Sequence, residues 1–230
     1  MNEIITNYKI KALPVLLSVL LLLITFKIDI LPQTSSLILV FKIIAVPTLA
    51  VISLFVTFGK EGVADIFSKP KKPFKNTIIW YLISFIASMA SGILLSQVFK
   101  IALKGNPGHE HLIQTFISLP FVLLFEEIIS FFVLLVIANL IFKKTNKLFL
   151  SQTIGVILSC IFFGLLHYST YFNGDMIHTL LHIILIQGVV RVFFNIAGLK
   201  SNSIIVPWII HVLFDFTTFG LGTVLMFSLI

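Results

Sequence analysis

Two adjacent acids, Glu126 and Glu127, lie inside the apolar run 112–142. A later run closes on Phe163-Gly-Leu-Leu-His167, and the last one contains His211-Val-Leu-Phe-Asp215. A charge at the centre of a membrane helix costs about 2.5–3.5 kcal/mol on insertion scales, so acids and imidazoles in such runs need a partner or a function. Either one glutamate of the pair carries a proton at neutral pH, or both find donors. A carboxylate so placed can take a proton from water, and histidines can move that proton or meet negative charge developing on a carbonyl. The plain alternatives are a hydrogen-bonded pair between helices for the glutamates, an interfacial residue for His167 and a local ion pair for His211 with Asp215. Residues four apart on a helix share a face, so Phe163 lies beside His167 and His211 beside Asp215.

The elements that must hold these residues are membrane helices. Of the 230 residues, 58% are hydrophobic and 11% charged, with a mean hydropathy of +1.12. Apolar runs fall at 12–26, 36–58, 77–99, 112–142, 151–166, 176–194 and 203–230. Most approach or exceed the roughly 20 residues that cross the hydrocarbon as a helix. The last run reads as one long helix or as two short ones turning about Phe219-Gly-Leu-Gly222, which gives seven or eight spans. Lysines precede the first run, but no small-residue cleavage site follows it, so it reads as a retained anchor. The runs are continuously apolar, unlike the alternating strands of a membrane barrel. The expectation is an all-α, polytopic integral membrane bundle forming a single domain over 1–230. Pro120, six residues before Glu126, is a place where the fourth helix can bend.

The formal net charge of +7 does not indicate nucleic acid, because the lysines sit in short loops beside apolar runs, where they set orientation. With the N-terminus cytoplasmic, Lys9, Lys11, Lys60, Lys69, Lys71, Lys72, Lys75, Lys143, Lys144, Lys147, Arg191 and Lys200 fall inside, against Lys27, Lys100 and Lys104 outside. Arg191 reads here as an anchor near the cytoplasmic face. The cluster Lys69-Pro-Lys-Lys-Pro73 suits an anionic membrane surface. Gly105-Asn-Pro-Gly108 reads as a turn, with His109 and His111 as solvated loop residues. The lone Cys160 excludes an intramolecular disulfide and points to packing.

Taken in order, Glu126-Glu127, Phe163-x-x-x-His167 and His211-x-x-x-Asp215 resemble the motifs of the CPBP family, the CAAX-protease and bacteriocin-processing intramembrane endopeptidases. The resemblance runs from about Leu119 to Phe216, and the core it implies covers about 112–216. It implies that Glu126 activates the hydrolytic water with His167 and that Glu127 organises the pair. His211 and Asp215 would stabilise the oxyanion or complete the polar site, with Asp215 orienting His211. The family's Glu-Glu-x-x-x-Arg motif has Phe131 at its last position here, and Arg191 is a possible replacement in space. The implied partner is a peptide or a membrane-associated protein, and the implied home is a bacterial plasma membrane; oligomeric state is open.

On this reading no cofactor is required. A divalent metal such as zinc remains an alternative, because Glu126, His167 and His211 are suitable ligand types, although the His-Glu-x-x-His helix of common zinc proteases is absent. Asp175, His178 and His182 form a second stripe with metal-ligand chemistry, read more simply as residues facing water or a cavity mouth. Gln187, Ser159 and Asn195 read as interhelical hydrogen-bonding groups. Two rival functions stand beside the protease: a proteolytically inactive scaffold or bacteriocin-immunity protein of the same fold, kept alive by Phe131, and an ion- or proton-coupled transporter. The transporter lacks any visible paired repeat.

Overall fold

The computed structural model describes residues 1–32, 35–104 and 112–228, with side chains left out at 112 and from 221 onward. The expected turn at Gly105–Gly108 and the two loop histidines, His109 and His111, lie outside the described residues.

Every regular element among them is helical. A short α1 (Asn2–Asn7) precedes α2 (Ala12–Asp29) and α3 (Ser36–Ile66). Then come α4 (Pro73–Ile93), which runs on as a π-helical turn over Leu94–Val98, and the long α5 (Leu112–Thr145). The chain continues with α6 (Leu148–Leu166), one turn of α7 (Tyr168–Tyr171), α8 (Met176–His182), a π-helical stretch over Ile183–Gly188, α9 (Val189–Ser201) and α10 (Ile205–Ser228). Six segments are long and apolar enough to cross a membrane: Ala12–Asp29, Ser36–Ile66, Pro73–Val98, Ile113–Thr145, Leu148–Leu166 and Met176–Ser201. The stretch Ile205–Gly220 is a shorter apolar helix. The count of seven or eight is therefore not reached among the described residues. The backbone of α10 stays helical through Phe219-Gly-Leu-Gly222, which removes the two-helix alternative for the last run. Helix α5 likewise continues through Pro120.

Helix α5 is the hub. Phe125, Ile128, Phe131, Leu134, Leu135 and Ala138 are all buried, and they form one apolar cluster with residues of α1, α3 and α6. Buried side-chain bonds then fix which helices meet, as expected where lipid removes any hydrophobic drive for helices to associate. Ser130 of α5, Ser159 of α6 and Asn195 of α9 are fully buried and bonded to one another: the two serine hydroxyls are 2.9 Å apart, and Ser130 Oγ donates to Asn195 Oδ1 at 3.2 Å. Asn139 Nδ2 faces the end of α1 and donates to the carbonyls of Ile4, Ile5 and Tyr8 at 2.9–3.1 Å.

One end of the bundle gathers the turn after α3, the turn after α9 and the start of the chain. Lys71 N donates to Ser201 O, Ile204 N to Ile66 O, and the Met1 amine to Asn202 Oδ1. The lysines between 60 and 75 and Lys200 therefore belong to one end. The other end holds Asp29 and the segment 167–175, where Lys104 Nζ donates to the Phe172 carbonyl at 3.2 Å.

Candidate active site

Glu126 and Glu127 are successive residues of a helix, so their side chains leave it about 100° apart. That single step gives them different surroundings. Glu127 is fully buried and points to the interior of the bundle; Glu126 lines a cavity of about 230 Å³ together with His167, Arg191, His211 and Asp215.

Glu127 is the anchor of a polar cluster. Its Oε1 accepts a short bond from Arg191 Nη1 of α9 and another from His211 Nδ1 of α10 at 2.8 Å. Arg191 Nη2 also lies 3.3 Å from His211 Nδ1, but both cannot donate to each other. The shorter, charge-assisted bond to the carboxylate decides the arrangement, which places the proton of this edge on Nδ1. His211 then turns Nε2 toward two further carboxyl groups, Glu126 Oε2 at 3.8 Å and Asp215 Oδ1 at 3.9 Å. These separations are too long for direct hydrogen bonds. Asp215 sits one turn along α10 from His211, as the spacing predicts.

His167 caps the C-terminus of α6. Its Nδ1 donates to the Phe163 carbonyl at 2.9 Å, which leaves Nε2 with the lone pair. Phe163 serves twice: its ring lies 4.7 Å from the His167 ring, and the Arg191 guanidinium stacks on it at 3.8 Å from the centroid. Phe194 flanks the same guanidinium at 5.2 Å. Two aromatic faces and one carboxylate thus hold a buried cation.

Arg191 corrects the reading of the sequence. Expected as an anchor at the membrane face, it is 1% exposed and paired with Glu127. Phe131, at the motif position otherwise held by Arg, is fully buried and lies over Gly198 of α9. A Cβ added to Gly198 would stand 2.2 Å from Phe131 Cζ, so the two positions fit only as a pair. Residue 191 had a visible signal: it lies ten residues before the end of α9 at Ser201, about 15 Å along the axis, which is mid-membrane depth and not interfacial.

Among the cavity-lining residues not assigned to the site from sequence, two are bonded to each other. Gln187, in the π-helical stretch, donates from Nε2 to the Tyr171 hydroxyl at 3.1 Å, and both line the cavity. The π-helical turn is itself a frequent mark of functional sites. Gln187, Ser159 and Asn195 do make the interhelical contacts expected of them.

The second stripe separates. Asp175 caps α8 by accepting from His178 N at 2.9 Å, a bond that holds its carboxyl below the usual carboxylate range. His182, expected to face water or a cavity mouth, is instead buried and stacks on Tyr171 with ring centroids 4.7 Å apart. Among the described residues no group of three His, Cys, Asp or Glu side chains gathers closely enough to hold a metal ion.

The fold and site together define a class: a polytopic helical membrane protein with carboxylates and imidazoles gathered on an internal cavity. Residues 107–217, just under half of the chain, match the family model described as type II CAAX prenyl endopeptidase Rce1-like, a model of the CPBP family of proteases. No curated protein and no solved structure matches.

Proposed function

We propose that the protein is an intramembrane endopeptidase in which Glu126 activates water for attack on a peptide carbonyl held in the 230 Å³ cavity. The observation that carries this reading is the division of labour between adjacent glutamates. Glu127 is occupied by Arg191 and His211, whereas Glu126 makes no bond shorter than 3.8 Å to the cluster and faces the cavity. A base must turn a lone pair to its substrate, and of the two only Glu126 lines the cavity, whereas the unpaired Oε2 of Glu127 is buried away from it.

In the proposed reaction a water held between Glu126 and His167 Nε2 gives a proton to Glu126 as its oxygen bonds to the carbonyl carbon. The oxyanion so formed lies toward His211, which meets the new charge by carrying a proton on Nε2 as well as the one it gives Glu127 from Nδ1. Collapse breaks the C–N bond, and the proton taken by Glu126 passes to the leaving amine. Asp215 orients His211 from one side and Glu127 from the other. No step runs through a metal, and cleavage by the purified protein is expected to survive EDTA. Loss of cleavage with chelator and recovery on adding zinc would overturn that part of the scheme.

The substrate is a peptide or a membrane-associated protein. The lysine-rich end is assigned to the cytoplasmic side, from the bias of basic residues, and the family resemblance with the Ile-, Lys-, Phe- and Asn-rich composition points to a bacterial plasma membrane. The rival reading, an inactive scaffold or immunity protein, draws on Phe131 at the motif position. Glu126→Gln separates the two, because it keeps shape and hydrogen bonding but removes basicity. Comparative peptidomics at matched protein level should show cleavage falling by on the order of 100-fold to 10,000-fold. Unchanged biological function in that variant would refute hydrolysis and leave the scaffold.

A further inference from the structure

Glu126, Phe163 and His167 also line a second cavity, of about 130 Å³. Its wall also includes Phe26, Asp29 and Ile30 at the end of α2, apolar residues of α5 and α6, and Ser169 and Thr170 just past α6. The two cavities share three residues, two of which are the proposed base and its imidazole partner. The contents of their walls differ. Arg191, His211, Asp215, Tyr171 and Gln187 all belong to the larger one. The smaller has none of the groups that would meet an oxyanion, and offers Asp29, Ser169 and Thr170 to small polar guests. Its volume is little more than half that of the larger cavity, yet well above the roughly 10–15 Å³ that one water requires.

We infer that the smaller cavity is the supply route for the hydrolytic water, so that Glu126 and His167 stand between water on one side and peptide on the other. The inference rests on the proposed hydrolase. A peptide seated in the larger cavity covers Glu126 from that side, and the surrounding lipid supplies no water. A second approach lets the nucleophile be replaced while substrate stays bound. The position suits the entry of water, because Asp29 ends α2 and Ser169 is exposed, which puts the cavity at the end of the bundle and not against the hydrocarbon centre.

The test narrows each cavity in turn. Thr170→Phe fills the smaller one, and Thr218→Phe, at an exposed residue of the larger wall, narrows the other. With a cleaved peptide as substrate, Thr170→Phe should lower kcat by on the order of tenfold at unchanged KM, as access and not chemistry becomes limiting. Thr218→Phe should act mainly on KM. A Thr170→Phe protein that melts like wild type and keeps its kcat, or that changes only KM, overturns the route. Ser169→Phe, on the same rim, takes its place where Thr170→Phe fails to fold.

A second measurement needs no activity. Silver ions react with the thiol of Glu126→Cys, with the buried Cys160 of the parent protein as background. With a peptide held in the larger cavity, adding Thr170→Phe should slow that reaction by on the order of tenfold, by blocking the remaining access, whereas adding Thr218→Phe should not. Equal slowing by both, or none by Thr170→Phe, refutes the route. Absence of proteolysis in the wild type alongside selective slowing by Thr170→Phe would sink the hydrolase reading and leave the route standing.

Discussion

The two halves of the bundle are built on different physics. In the spans Ala12–Asp29, Ser36–Ile66 and Pro73–Val98, 11–22% of the most apolar window is buried inside the protein. In Ile113–Thr145, Leu148–Leu166 and Met176–Ser201 the share is 39–61%. The first three helices meet mostly lipid and are tied by hydroxyl bonds, such as Ser18 Oγ donating to Ser53 O at 2.6 Å and Thr57 Oγ1 to Ser18 Oγ at 2.7 Å. The later helices hold the Glu127–Arg191–His211 cluster. A half that only has to stay in the membrane uses weak contacts. A half that holds buried charge must surround it with protein, and the family match covers that half alone.

The largest effect should come from removing the charge that ties this second half together. Arg191→Met leaves Glu127 buried beside a single histidine, and breaking one partner of a buried ion pair commonly costs about 3–5 kcal/mol. The loss should appear in unfolding of the detergent-solubilised protein. Because the cost comes from the orphaned carboxylate, Glu127→Gln added to Arg191→Met should recover much of it without restoring cleavage. A single variant as stable as wild type would mean that the charges do not distinguish the two halves.

A smaller effect is expected at the seat of Phe131. Gly198→Ala forces a methyl group against the Phe131 ring in a fully buried position, and overpacking of this kind costs about 1–3 kcal/mol. Shortening the ring side chain with Phe131→Leu should relieve it, so that the double variant is more stable than Gly198→Ala alone. Additive losses would show that the two residues are not a fitted pair. The substitution of Phe for a motif Arg would then lack its structural counterpart on α9.

How much of this is readable in the chain depends on what each residue's surroundings forbid. Glu126, Glu127, His211 and Asp215 are legible because hydrocarbon tolerates such groups only when they converge, and His211 with Glu127 and Asp215 does so at 2.8–3.9 Å. His167 is legible from its one-turn spacing to Phe163. Which glutamate faces the cavity is implied only by the family resemblance and not by spacing, since it depends on the rotation of α5 against α9 and α10. Arg191 misleads because a basic residue on the way to a lysine-rich turn resembles an anchor, and only its depth along the helix contradicts that. His182 misleads because its burial comes from Tyr171, which arrives from α7 and leaves no periodic trace in the sequence of α8. The apolar runs make six membrane-spanning helices legible, and the last run forms one helix, Ile205–Ser228, rather than two.

The smallest effect should fall in the lipid-facing half, at Ser18. This side chain is fully buried between α2 and α3, where it donates to the Ser53 carbonyl and accepts from Thr57. A simple count assigns Ser18→Ala the loss of two buried hydrogen bonds. In a membrane the unfolded reference already finds partners for its polar groups, and measured interhelical bonds average only about 0.6 kcal/mol. Ser53 O and Thr57 Oγ1 also keep other options after the change, the first within its own helix and the second at the Pro14 carbonyl, to which Thr57 already donates at 3.3 Å. The expected loss in a detergent unfolding assay is therefore about 0.6 kcal/mol, with cleavage unchanged because nothing in the pair reaches α5 or the cavity. A loss comparable to that of Arg191→Met would show that the first helices are held as tightly as the charged half, and that their exposure to lipid says little about how the bundle is stabilised.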